Sequence, residues 1–155
     1  MRIVLFCIIF TLLRTGALAE DQTTNYIFSS LNIDDLRARA RTGDADADFA
    51  LGNIYRDGVM VKQDKIEALK WFEKAAEQGN VGAQFMVGLN YWVGLDVKMD
   101  EAKGMMWFRK AADQGEPGAF HYLGAAYYLG KGVKQDYVQC YKWTLLFMET
   151  GTSGH

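Results

Sequence analysis

Two histidines, His121 and His155, and two cysteines, Cys7 and Cys140, are all that the 155-residue chain offers for thiol or imidazole chemistry. Neither pair has a working spacing. The chain contains no Cys-x-x-Cys, no His-Glu-x-x-His and no Gly-x-Ser-x-Gly. No redox dithiol, zinc-binding helix or nucleophile elbow is therefore written into a local motif. Gly130-Lys131-Gly132 lacks the third glycine and the preceding strand of a phosphate-binding loop. With so few histidines a histidine metal site is not expected, and no cofactor is either. Aspartates and glutamates are plentiful, but they fall at helix starts or on polar faces. Only a carboxylate pair converging in a cleft stays open as a catalytic arrangement. What the residue types do suit is recognition. Asn53, Arg56, Phe85, Leu89, Trp92, His121 and Tyr128 combine apolar area with hydrogen-bond donors. Aromatic and arginine side chains are favoured anchors at interfaces, and the Arg56 guanidinium can grip a ligand carboxylate in a two-point contact.

The elements that must position these residues repeat every 36 residues. Gly43/Gly79/Gly115/Gly151, Ala47/Ala83/Ala119, Gly52/Gly88/Gly124, Tyr55/Tyr91/Tyr127 and Gly58/Gly94/Gly130 recur at one interval. Val61/Val97/Val133, Lys62/Lys98/Lys134, Asp64/Asp100/Asp136 and Trp71/Trp107/Trp143 follow it as well. Nine columns in one register identify stacked repeats, which bury a core between neighbours and present a long surface to a partner.

Within one copy, the spacing predicts a helix A over 46–57, with Ala47, Ala50, Leu51, Ile54 and Tyr55 on its apolar face. Gly58 stops it, because glycine accepts a left-handed backbone. Asp64 caps a helix B, with Glu67 placed to reach back in a capping box. Ala68, Trp71, Phe72, Ala75 and Ala76 form the buried stripe of helix B, while Lys70, Glu73, Lys74 and Glu77 face water. Gly52, Gly88 and Gly124 sit inside helix A, at a cost of about 1 kcal/mol each relative to alanine. Three such positions predict a close approach of helix B. Helix A carries a second stripe opposite its core face. It reads Asp46, Phe49, Asn53, Arg56 in the first copy, Gly82, Phe85, Leu89, Trp92 in the second and Gly118, His121, Ala125, Tyr128 in the third.

The ends differ from the middle. Met1-Arg2, the apolar run Ile3–Leu13 and Ala17-Leu18-Ala19 read as a secretory signal peptide cut after Ala19; the run is too short to span a bilayer as a helix. The expected organisation is signal peptide 1–19, linker 20–31, N-terminal capping helix 32–42, repeats 43–78, 79–114 and 115–150, and tail 151–155. After cleavage 15 basic and 19 acidic residues remain, a balance with no footprint for nucleic acid. Cys140 would be the one cysteine left. It reads as a small buried hydrophobe, with an intermolecular disulfide or a reactive thiol as the other outcome. Leu145, Leu146, Phe147 and Met148 end the last copy on an apolar note. They either close the core unaided or join two molecules into a homodimer through the C-terminal helix.

The unit Ala-x-x-x-Leu-Gly-x-x-Tyr at 47–55, Gly-x-x-Val-x-x-Asp at 58–64 and Ala-x-x-Trp-Phe-x-x-Ala-Ala-x-x-Gly at 68–79 resembles the Sel-one-like repeat, a relative of the tetratricopeptide repeat. The resemblance covers roughly residues 43–151. It implies an all-α solenoid, a right-handed superhelix of antiparallel helix pairs. It also implies a noncatalytic adaptor or scaffold that binds a protein or peptide, here in the periplasm or, alternatively, secreted. The second stripe of helix A would line its concave groove. A cysteine-rich branch of this family is linked to β-lactam compounds, which keeps a β-lactam or peptidoglycan hydrolase as a distant alternative. That branch pairs cysteines within each repeat, and this chain has none to pair.

Overall fold

A computed structural model describes residues 33–95 and 97–152, with side chains as far as Thr150. The expected signal peptide and linker, Asn32 at the start of the expected capping helix and the last three residues of the tail lie outside them. Two compact units divide the chain, Met1–Asp35 and Leu36–His155. Of the first, the described residues are only the opening turn of α1.

Among the described residues the secondary structure is helical throughout. The order is α1 (Ile33–Arg41), α2 (Ala45–Asp57), α3 (Lys65–Glu77), α4 (Val81–Val93), α5 (Glu101–Asp113), α6 (Pro117–Leu129) and α7 (Tyr137–Thr152). The pairs α2/α3, α4/α5 and α6/α7 are the three sequence copies. Each helix A starts on a side-chain cap: Asp44, Asn80 or Glu116, the last followed by Pro117 in the first turn. Each ends on a left-handed glycine, Gly58, Gly94 or Gly130, at φ of 68°, 73° and 68°. Helices α3 and α5 are capped by Asp64 and Asp100, which accept from Glu67 N and Lys103 N at 2.9 Å. The reciprocal half of the expected capping box does not form. Asp64 N donates instead to Tyr55 O, and Glu67 bonds Lys70.

The glycines inside helix A are explained by contact. A Cβ on Gly52 would stand 2.5 Å from the Phe72 ring, and one on Gly88 would stand 2.7 Å from Phe108. Both rings are buried. At Gly124 the nearest atom is the Thr144 hydroxyl at 3.3 Å, so the third pair is looser.

One ladder joins successive copies and a second ties the two helices of each copy together. In the first, residues 36 apart on helix B hydrogen-bond the tyrosine of the next helix A. Arg37 Nη2 donates to Tyr55 Oη at 3.3 Å, Tyr91 Oη donates to Glu73 at 2.6 Å, and Arg109 Nη2 donates to Tyr127 Oη at 2.8 Å. In the second, the fully buried Asp48 accepts from Lys74 Nζ at 2.9 Å and from Gln78. Its counterpart Gln84 accepts from Gln114 at 2.9 Å, and the third, Phe120, stacks on Trp143 at 6.0 Å. The position changes from charged to amide to apolar, while the Gln78/Gln114 and Trp71/Trp107/Trp143 columns that face it stay the same. This corrects the expectation that Lys74 simply faces water: its ammonium turns inward to Asp48 and to Ala40 O.

Candidate partner-binding surface

Glycine notches set the second stripe of helix A. Phe49 fills the notch over Gly82, where a Cβ would come within 2.9 Å of its ring, and Phe85 fills the one over Gly118 at 2.7 Å. Phe85 also meets Phe108 at 5.8 Å and Tyr122 at 5.9 Å between centroids. The Phe49/Phe85 column is thus a packing device between adjacent A helices. Leu89 packs half-buried beside it.

Trp92 is held by a backbone contact. A Cβ on Gly104 would lie 3.0 Å from Trp92 N, so α5 presses directly on the end of α4. The indole then stands edge-on to Phe108 at 6.0 Å and to Tyr122 at 6.4 Å, with Lys131 Nζ 5.8 Å above it. Tyr122 is the centre of this cluster. It stacks on Phe108 at 4.9 Å and receives the edge of His121 at 5.6 Å. Sequence reasoning missed it. Its column, Ala50/Met86/Tyr122, shows no repeated residue, and Ala50 reads as part of the core face. In fact all three are only half-buried. The signal was there in the offset: residue 92 meets residue 122, just as Arg56 meets Met86 thirty positions on.

The first junction has a different chemistry. Arg56 Nη1 lies 4.0 Å from the Met86 sulfur. Its Nε and Nη2 donate to Asp57 at 2.8 and 3.0 Å. This hydrogen-bonded pair raises the guanidinium pKa and lowers the Asp57 pKa. Both partners are partly exposed, so the pair is worth little and can be exchanged for another carboxylate. Beside Arg56 opens a pocket of about 160 Å³, with Lys65 at its rim and Leu69, Met86 and Asn90 in its wall. The Asn53 amide does not enter it, because Nδ2 donates back to Phe49 O at 3.1 Å.

The structure therefore brings Phe85, Leu89, Trp92 and Tyr122 together, with His121 at their margin. Arg56 stands at a separate junction. Tyr128 is remote from both, exposed and edge-on to Tyr137 at 5.9 Å. His121 is exposed and reaches Phe147 at 5.5 Å. Among the described residues no group of histidine, cysteine and carboxylate side chains could hold a metal ion. Cys140 is a free, half-buried thiol.

Helix pairs in a 36-residue register, with glycine notches accepting the next copy, coincide with a family model. The Sel1 repeat model matches residues 45–80, 81–116 and 119–146. The chain belongs to the Sel1 repeat family. Repeats of this family generally serve as protein-interaction scaffolds. Among solved structures, the chain is similar to c5321, described as a protective antigen present in uropathogenic Escherichia coli strains and displaying an SLR fold. The match has 38% identity and a TM-score of 0.74 over 77% of this chain and 26% of that one. The chain thus spans about a quarter of the length of that antigen. A Sel1 repeat protein from Oxalobacter formigenes matches at 35% identity and a TM-score of 0.73, over 77% of this chain and 90% of that one. Cysteine rich protein B of Helicobacter pylori shares the fold, with 24% identity and a TM-score of 0.58 over 77% of this chain and 91% of that one. No curated protein matches the sequence. The all-α repeat superhelix expected from the residues is the observed fold. No described helix is long and apolar enough to cross a membrane.

Proposed function

We propose that this Sel1 repeat chain is a noncatalytic module that binds a protein or peptide in the bacterial cell envelope. The observation that carries the reading is the cluster that Phe85 and Trp92 of the A-helix stripe form with Tyr122, together with a separate junction where Arg56 borders an open pocket. Trp92 and Tyr122 keep part of their surface exposed although they pack against a buried ring. A rigid aromatic platform of this kind gives contact area with little ordering cost. Arg56 supplies orientation by exchanging Asp57 for a ligand carboxylate. The Ala17-Leu18-Ala19 cleavage site supports the periplasm as the location, with secretion as the alternative. α7 supplies a second surface, for another copy of the chain, since Tyr137, Val138, Tyr141 and Met148 are 61–71% exposed.

The test is capture of the native partner from envelope extract by the wild-type chain and by Trp92→Ala/Arg56→Ala. Loss of a central aromatic anchor weakens binding by roughly 30-fold or more. Undiminished capture by a variant with unchanged far-UV circular dichroism overturns the groove assignment. Turnover of a chromogenic β-lactam or a cell-wall peptide would replace the binding reading with the hydrolase alternative. A mass showing Glu20 as the first residue tests export.

A further inference from the structure

The helix B of an inner copy is covered by the next helix A, and α7 is not built to be. In α3, Leu69, Ala75 and Ala76 are buried in one cluster with Ala83 and Val87 of α4. In α5, Met105, Ala111 and Ala112 are buried with Ala119 and Leu123 of α6. The same columns in α7 carry Tyr141, Phe147 and Met148, which are 65%, 40% and 61% exposed. Alanines at 75/76 and 111/112 let the following helix come close. Phenylalanine and methionine at 147 and 148 occupy that space. The tyrosine ladder also lapses, because Leu145 stands where Arg37, Glu73 and Arg109 bond a tyrosine. The first repeat of a second molecule, stacked head to tail, therefore finds no alanine seat on α7 of the kind used inside the array.

Resting on the reading that α7 joins copies of this chain, we propose that two copies pair face to face. The two α7 helices run antiparallel across a two-fold axis at Leu145–Leu146, rather than stacking head to tail. Tyr137, Tyr141, Leu145 and Met148, with Val138 beside them, follow helical spacing and form one uncharged strip. All five are 40–71% exposed. At roughly 150–250 Å² per large side chain, the strip offers on the order of 600 Å² per copy. Two strips then bury about 1,200 Å² in total, above the roughly 1,000 Å² that a specific interface needs. Charge selects the direction. Lys142 and Glu149 lie seven residues apart on the same edge of the strip. An antiparallel crossing centred between residues 145 and 146 sets each Lys142 beside Glu149 of the other copy, whereas a parallel crossing sets like beside like. A two-fold contact of this type is closed, so assembly stops at two.

Sedimentation of the chain, purified as the cell processes it, reads the outcome directly. Wild type is expected to be a dimer at about 100 μM. Leu145→Asp is expected to raise the dissociation constant by roughly 100-fold while leaving the circular dichroism and groove-partner capture intact. Lys142→Glu weakens the dimer, and adding Glu149→Lys restores it. In a Cys140→Ser background, Leu145→Cys places two thiols at the axis, and a short bis-maleimide links them into a covalent dimer. A monomeric wild type at about 100 μM overturns self-association itself. An open series of larger species, or a dimer that Leu145→Cys does not cross-link, overturns only the two-fold pairing.

Discussion

Replacing Gly88 by alanine sets two effects of known size against each other. In the middle of α4, helix propensity favours alanine by about 1 kcal/mol. The added methyl, however, would stand 2.7 Å from the Phe108 ring. That ring cannot retreat. It is fully buried, stacked on Tyr122 at 4.9 Å and flanked by Phe85 and Trp92 at 5.8 and 6.0 Å. Overfilling a packed site costs about 1–3 kcal/mol, and a displaced ring pair adds about 0.5–1.5 kcal/mol. Packing wins, and the net loss is about 0.5–3.5 kcal/mol. With about 4 °C per kcal/mol for a domain of this size, the melting temperature falls by about 2–14 °C. The same substitution at Gly124 meets only the Thr144 hydroxyl at 3.3 Å. Propensity then prevails, and the variant is between unchanged and about 1 kcal/mol more stable. Thermal melts of both variants by circular dichroism check the pair. A Gly88→Ala protein as stable as wild type, or equal shifts at both sites, would refute the packing account of the central glycines.

The buried ladder makes a second prediction. Asp48→Ala removes one of the two acceptors that Lys74 and Gln78 each hold, Ala40 O and Lys74 O remaining, and since Lys74 is half-exposed and can swing to water, the cost is about 2 kcal/mol, read as a lower urea midpoint at constant slope. Asp44, the cap of α2, is held below its ordinary pKa of 3.8 first by the hydrogen bond from Arg39, then by the backbone N–H of Ala47. A depressed carboxylate contributes stability above its unfolded pKa and loses it as pH falls through the folded one. Asp44→Asn should therefore be less stable than wild type at pH 7, and the gap should close below about pH 3.8; urea melts at both ends of that range decide it, and a gap independent of pH refutes the linkage. Tyr122→Ala removes the ring that Trp92 and Phe85 share, and should weaken partner binding at least as much as Trp92→Ala, by roughly 30-fold; surface plasmon resonance with the captured partner measures it, and unaltered affinity removes Tyr122 from the binding surface.

The repeat period, the helix pairs and the reason for glycine inside helix A were legible in the residues, because each is a local or periodic demand. Gly58, Gly94 and Gly130 mark left-handed stops wherever the chain places them, and a phenylalanine opposite a helical glycine in two of the three copies leaves few explanations. The charged network was not legible. Lys74 sits on a helix face that reads as solvated, yet its long stem carries the ammonium to Asp48, twenty-six residues earlier. How the proposed stripe packs was legible only in part. Phe85 proved to be a wedge between repeats, Asn53 bonds its own helix, and Arg56 already holds Asp57.

By itself the amino-acid sequence determined the period, the helix boundaries set by caps and glycines, and the small residues that let helices touch, since these depend on contacts a few residues apart or on a register repeated three times. Tertiary structure alone decided that Trp92 shares a platform with Tyr122, that Asp48 is a buried acceptor and that the apolar strip of α7 stays open. Each of those depends on the angle and distance at which one helix meets its neighbours. That geometry is set by summed packing across a junction, and no single column of residues records it.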